Sequence, residues 1–228
     1  MSAEQFKQAA AQAAVQLVQS GMLVGLGHGS TVKHALDALA ARLHAGELTD
    51  IIGIPCSKHT QNEATRLGIP LGDINAHSQI DITLDGADEV DPQLNLIKGG
   101  GGALLREKIV AQASRREVIM VDESKLSDAL GTRFALPVEV LPFAWQHALD
   151  FIAGLGGNPQ VREHNGMPVL SDQGNYLLDC AFGPIADPHT LARQLEGRAG
   201  IVEHGLFLGL ATDLLVAGPQ GVRHLTRG

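Results

Sequence analysis

Four carboxylates (Asp85, Asp88, Glu89 and Asp91), one lysine (Lys98), four successive glycines (Gly99 to Gly102) and a further carboxylate (Glu107) follow one another between Leu84 and Lys108. A lysine beside a glycine run can stabilise an oxyanion, because backbone N–H groups and the ammonium converge on one point. Carboxylates at a strand end can handle hydroxyl protons, and a glutamate can move a proton on carbon. The combination describes proton abstraction next to a carbonyl. Plainer readings stand beside it. Aspartates next to glycine often close an Asx turn, which applies to Asp85 and Asp88 and more strongly to Glu89 and Asp91 as turn or solvated carboxylates. Glu107 lies about 200° around the helix from Leu105. That places it off the apolar stripe of Leu105, Ile109 and Ala113, on a face that spacing alone assigns to solvent.

A second glycine loop, VGLGHGST (Val24 to Thr31), precedes a helical pattern. Alternate glycines let N–H groups turn toward an anion, and a helix N-terminus adds partial positive charge. Ser30 and Thr31 can cap the helix or donate to a phosphate. Gly25, Gly27 and Gly29 do not have the spacing of a dinucleotide fingerprint, and no lysine follows them as in a Walker loop. The next strand ends in Ile54-Pro55-Cys56-Ser57, without the acid that holds a ribose hydroxyl of NAD. A tight turn and a small phosphate site both remain open here. Cys56 and Cys180 match no metal spacing and read as small core hydrophobes.

These loops need a scaffold. From Met22 to about Val121, short apolar runs alternate with helical patterns, which predicts a Rossmann-like, mostly parallel α/β sheet. Ligands collect at the carboxyl ends of such strands, so the loops after Leu26, Pro55, Leu84 and Val121 should share one rim. Lys125 follows the last of these strands. The later segment reads β-α-β-β-α-β, a smaller α+β ferredoxin-like unit. It includes an expected hairpin over MPVLSDQGNYLLDCAF that turns near Asp172-Gln173-Gly174, and a helix started by Asp187 and Pro188. The expected domains are residues 1–130 with 206–228, and 131–205, two strands near the end rejoining the first sheet. Ser2 and Gln5 have capping-box spacing ahead of a helix with Phe6, Ala10, Ala13 and Leu17 on one face.

Composition narrows the partners. The net charge of −8, with Arg115-Arg116 as the main basic pair, and only 4% aromatic residues argue against nucleic-acid binding. Acids interrupt each apolar stretch, so no membrane span is expected, and no basic leader precedes the first helix. The expected setting is cytoplasmic.

The motifs VGLGHGST, DGADEVDPQLNLIKGGGGALLREKIV, VDESK and LPVEVLPFAW resemble, in order and over essentially the whole chain, those of the ribose-5-phosphate isomerase type A family. The resemblance implies an aldose–ketose isomerase that interconverts D-ribose 5-phosphate and D-ribulose 5-phosphate through an enediol, in the non-oxidative pentose phosphate pathway. It implies no cofactor and no metal, and a homodimer or homotetramer. Carried over by motif, Glu107 is the general base, with Asp85, Asp88 and Lys98 also catalytic. The first acid of DGAD is associated with sugar-ring opening. Substrate binding falls to His28, Gly29, Ser30 and Thr31, to Asp85, Gly86, Ala87 and Asp88, to Lys98, Gly99, Gly100 and Gly101, and to Lys125. Lys7 resembles a lysine that can reach the phosphate. The family usually has Thr where this chain has His28, so a hydroxyl contact from that position does not carry over. A sugar-phosphate sensor or a coenzyme A transferase-like enzyme would be rival readings. A sensor would not need Glu107 together with Lys98, and a transferase would form a covalent thioester on its glutamate.

Overall fold

Alternating apolar runs and helical patterns become alternating strands and helices in the computed structural model, which describes residues 2–227. Met1 and Gly228, counted in the expected first domain, lie outside the described residues. The first elements are α1 (Ala3–Val15), β1 (Leu23–Leu26), α2 (Ser30–His44), β2 (Ile52–Pro55), α3 (Lys58–Arg66), β3 (Ile82–Asp85), β4 (Glu89–Val90) and β5 (Leu96–Ile97). Then come α4 (Leu104–Gln112), β6 (Glu117–Asp122), β7 (Leu136–Val140), α5 (Trp145–Gly154), β8 (Asn158–Val161), β9 (Glu163–His164) and β10 (Met167–Pro168). The last are β11 (Tyr176–Ala181), α6 (Pro188–Glu196), β12 (Ile201–His204), β13 (Leu206–Phe207), β14 (Asp213–Gly218) and β15 (Gly221–Thr226). Among the described residues no helix is long and apolar enough to cross a membrane.

The chain forms two compact units that interleave in sequence. The first holds Met1–Ala87, Arg106–Ser124 and Gly209–Gly228, and the second Asp88–Leu105 and Lys125–Leu208. Asp88–Leu105, placed by sequence rhythm in the first domain, groups with the second unit because β5 pairs with both β4 and β13 in a separate three-stranded sheet.

In the first unit, six strands run in the order β15-β14-β6-β3-β1-β2. All neighbours are parallel except β14 and β15, which form the antiparallel hairpin expected from the sequence. β1, β3, β6 and β14 are buried along their whole length; β1, β6 and β14 carry near-continuous apolar runs, while β3 alternates Ile82 and Leu84 with buried Thr83 and Asp85. α1 begins with the expected capping box between Ser2 and Gln5 and packs on α2 and β6 through Ala10, Ala11, Ala14 and Val15. Strand order reverses at β1, which has β2 on one side and β3 on the other. The crevice at the carboxyl ends of β1 and β3 is where such sheets place ligands.

In the second unit, β12-β7-β11-β8 form an antiparallel sheet. Leu136, Val138, Val140, Leu178 and Cys180 alternate into a core shared with α5 and α6, in the ferredoxin-like arrangement. Asp187 caps α6 by accepting from Thr190 N, with Pro188 following it. The expected hairpin differs. β10 pairs back onto β9 through Asn165 and Gly166, both at positive φ. Asn-Gly in a two-residue loop is a strong hairpin signal, and it takes Met167-Pro168, while the expected Asp172–Gly174 turn also forms, with Ser171 N donating to Asn175 O (2.9 Å). That later turn is bridged by one pair, Leu170 with Tyr176.

Candidate active site

In the first unit the site is built from backbone outward. After β1, Gly27 N continues the ladder by donating to Leu84 O (3.0 Å). A side chain at Gly27 would overlap the Asp85 carboxylate, so only glycine lets Asp85 seat here. Asp85 Oδ1 accepts from Gly86 N (2.7 Å) and His28 N (3.1 Å), which fixes the carboxylate at the end of β3. Gly29, at φ 117°, is the N-cap of α2 and offers no side-chain cap. Ser30 and Thr31 are therefore the first two residues of the helix and not its caps. The first-turn N–H groups of α2, left without a side-chain cap, suit an anion.

The next strand brings Cys56 to the same rim, its N–H donating to Leu26 O (2.9 Å). The Cys56 thiol and one oxygen each of Asp85 and Glu107 lie within 4.8 Å of one another, and all three side chains are buried. Such a set mixes one soft donor with two hard ones and lacks an imidazole. Glu107 is only 4% exposed, whereas Ile109, expected on the buried stripe, is 46% exposed. The helix α4 is turned relative to the sequence reading. Its buried face carries Leu104, Glu107, Lys108, Val110 and Ala111, and two ionisable residues there erase the apolar periodicity.

In the second unit, Lys98 follows β5 and is 2% exposed. Its N–H donates to Gly205 O (2.9 Å) and its Nζ stands 5.6 Å from the Phe207 ring centroid, a cation–π distance. Gly99 (φ 104°) has Leu104 and Pro137 where a side chain would go. Gly100 N donates to Asp88 Oδ2 (2.8 Å). Arg162 Nη1 donates to the carbonyls of Gly99 (3.0 Å) and Gly100 (3.1 Å), while its Nε holds Asp179 (3.0 Å). The glycine loop is thus braced from both ends of its polarity: a carboxylate takes an N–H and a guanidinium takes two carbonyls.

The first unit therefore gathers His28, Gly29, Ser30, Thr31, Asp85, Gly86 and Glu107, and the second gathers Asp88, Lys98, Gly99, Gly100 and Gly101. Lys125, half-buried, ends the 3-10 turn that follows β6. Lys7 lies on α1 with its ammonium 3.6 Å from Glu4. Glu89 and Asp91 are buried rather than solvated. Glu89 accepts from the N–H groups of Gly131, Arg133 and Phe134, and Asp91 from Gln93 N and Asn95 N. Both organise loops.

Three contributors went unread in the sequence. Ser57 caps α3 by accepting from Thr60 N, and the Ser-x-x-Thr spacing could have signalled that cap. Cys56 looks like any core cysteine. Arg162 has no local signal, because its partners in the glycine loop are remote in sequence.

The family model for ribose 5-phosphate isomerase A (phosphoriboisomerase A) matches residues 52–221. A ribose-5-phosphate isomerase A of Chloroflexus aurantiacus is 59% identical over 99% of this chain and 95% of its own length. One of Desulfatibacillum aliphaticivorans is 52% identical over 98% of each chain. A solved D-ribose-5-phosphate isomerase in complex with phospho-erythronic acid superposes with a TM-score of 0.97 at 36% identity, covering 100% of both chains.

Proposed function

The chain belongs to the ribose 5-phosphate isomerase A family, and from that premise we propose how its residues divide the work of the reaction. The chain is an aldose–ketose isomerase that interconverts D-ribose 5-phosphate and D-ribulose 5-phosphate through an enediol. One carbon must lose a proton while its neighbour gains one. Glu107 carries that proton. A carboxylate can swing between adjacent carbons, and its burial keeps water from competing for the proton. Asp85, held by two backbone donors, handles the hydroxyl proton released when the sugar ring opens, and Asp88 assists at the adjacent hydroxyl. Lys98 offsets the negative charge that develops on the enediolate oxygen, with Gly99 and Gly101 supplying backbone donors while Gly100 N holds Asp88 at the substrate loop. The phosphoryl group lies on the α2 N-terminus at Gly29, Ser30 and Thr31, with His28 beside it. Gly86, Ala87 and Lys125 complete the contacts.

The observation that carries this reading is the burial of Glu107 with its carboxylate close to that of Asp85. Two carboxylates held this close at the strand ends can pass protons to and from one bound substrate. Turnover of ribose 5-phosphate in deuterium oxide tests it. Deuterium at C1 or C2 of the sugar is the expected result, and product formed without any exchange in either direction would favour hydride transfer.

The same proposal includes a homodimer or homotetramer. Phe143, 88% exposed, and Leu141, 45% exposed, are apolar side chains on the second unit that a second copy would cover. Light scattering of the wild type and of Phe143→Ser measures this directly. The proposal also includes a cytoplasmic location for a pentose-phosphate enzyme.

A further inference from the structure

Hydroxyl protons can be counted along three contacts in the first unit. Thr60 Oγ1 lies 2.7 Å from the carbonyl oxygen of Gly27. A carbonyl carries no proton, so Thr60 donates its only one there. Ser57 Oγ lies 2.9 Å from Thr60 Oγ1, and Thr60 has nothing left to give, so Ser57 donates to Thr60. Ser57 Oγ also lies 2.9 Å from Nδ1 of His28 and accepts from Thr60 N at 2.9 Å. Its single proton is spent, so it accepts from the ring as well, and Nδ1 must carry the hydrogen. Both lone pairs and the proton of Ser57 are then assigned.

An imidazole protonated on Nδ1 has two forms. The neutral form presents a lone pair at Nε2, which repels a phosphate oxygen. The imidazolium presents a second N–H, which attracts one. We propose that Ser57 and Thr60 are positioning residues that keep the proton of His28 on Nδ1, so that His28 meets the phosphoryl group only as an imidazolium and sugar-phosphate binding takes up a proton at this residue. The inference rests on the proposed phosphate position at the α2 N-terminus. It would also give the histidine a role that the family's usual threonine cannot fill.

Charged groups around the ring bear on this. Asp85, which accepts from His28 N at the end of β3, favours the imidazolium. His59 on α3 faces the ring edge-on at 5.6 Å between centroids and opposes it when protonated, while Glu63 on the same helix interacts with His59. His28→Thr leaves Asp85, His59 and Glu63 in the chain, and Thr60→Val keeps the Ser57 cap of α3 that Ser57→Ala removes, so the two Ser57–Thr60 variants together separate the proposed link from a loss of the cap.

Two measurements test it. Long-range proton–nitrogen NMR of the free ¹⁵N-labelled chain reads the tautomer of His28 in its neutral form. The expected signal is a protonated Nδ1 in the wild type, with the other tautomer appearing in Ser57→Ala. Calorimetry with phospho-erythronic acid, in buffers of different ionisation heat above neutral pH, counts protons taken up on binding. Uptake should be larger in the wild type than in His28→Thr, with Ser57→Ala in between, because its neutral Nε2–H can donate without a second proton. If Ser57→Ala fails to fold, Thr60→Val replaces it, since it returns the serine proton to the ring. An Nε2-protonated His28 in the wild type, or equal uptake in wild type and His28→Thr, overturns the proposal while leaving the isomerase assignment standing. Failure of the wild type to bind the ligand or to turn over ribose 5-phosphate would remove the phosphate site itself.

Discussion

Glu107 and Lys98 are ionisable side chains of the proposed site that are only 4% and 2% exposed. Glu107→Gln keeps the shape of the side chain and removes its ability to accept a proton. If it is the base, kcat falls by roughly 10²–10⁴-fold while the folded variant still binds sugar phosphate. Deuterium exchange into the sugar should fall in parallel, and a variant within about ten-fold of wild type would move the search for the base to Asp85 or Asp88. Lys98→Met keeps the stem and deletes the charge. Loss of one oxyanion donor costs about 10²–10³ in kcat. A rise in KM with kcat intact would instead make Lys98 a ground-state anchor. At this scale the sequence was informative where backbone geometry dominates. Alternate glycines before Ser30, and Asp85 beside Gly86, announce close approach of backbone to a side chain, which Gly27 and Gly86 make with the Asp85 carboxylate. Glu107 was opaque for the opposite reason. A buried glutamate on a helix has the spacing of a surface one, and only tertiary packing distinguishes them.

At the scale of elements, β1 shows how closely the frame is fitted. Gly25 lies opposite Thr83 of β3, and a methyl group at Gly25 would overlap the threonine hydroxyl and press on Val110. Thr83 Oγ1 is itself 2.6 Å from Ser114 Oγ, so it cannot turn away without losing that bond. Gly25→Ala should therefore destabilise the fold by on the order of 1–3 kcal/mol, as overpacked cores do. The urea midpoint would report it, and an unchanged midpoint would mean that β1 and β3 can separate more easily than their packing implies. Strand–helix alternation, the α1 capping box and the Asp187 cap of α6 were legible because each depends on a few neighbouring residues. β10 was given the wrong partner because the Asn165-Gly166 turn went unread beside the Asp172–Gly174 turn, and both form. α4 was misoriented because its inward face carries Glu107 and Lys108.

For the molecule as a whole, acid is a predictable weakness. Asp213 of β14 is tied to Arg116 ahead of β6 (2.8 Å) and to His224 of β15 (2.7 Å), which joins three neighbouring strands. Burial pushes its carboxyl up, but hydrogen bonds from Arg116, Thr212 and His224 outweigh that and hold it below the ordinary 3.8. A carboxylate depressed on folding contributes stability above its unfolded pKa and loses it as pH falls through the folded one. Asp213→Asn should cost on the order of 1–2 kcal/mol near neutral pH. The gap from wild type should narrow once pH drops below 3.8, and urea midpoints in neutral and acid buffers would show whether it does. A mostly parallel sheet rejoined by two late strands was foreseeable from the alternation of elements, whereas the grouping of Asp88–Leu105 with the second unit depends on pairing with the distant β13. That interleaving also sets a timetable for synthesis. β6 leaves the ribosome before all of Lys125–Leu208, yet its outer neighbour, β14, comes after them. During translation the nascent sheet therefore waits with an unpaired edge while the second unit condenses behind it. That interval is when a chaperone has most to shield and when a stalled chain is most prone to aggregate.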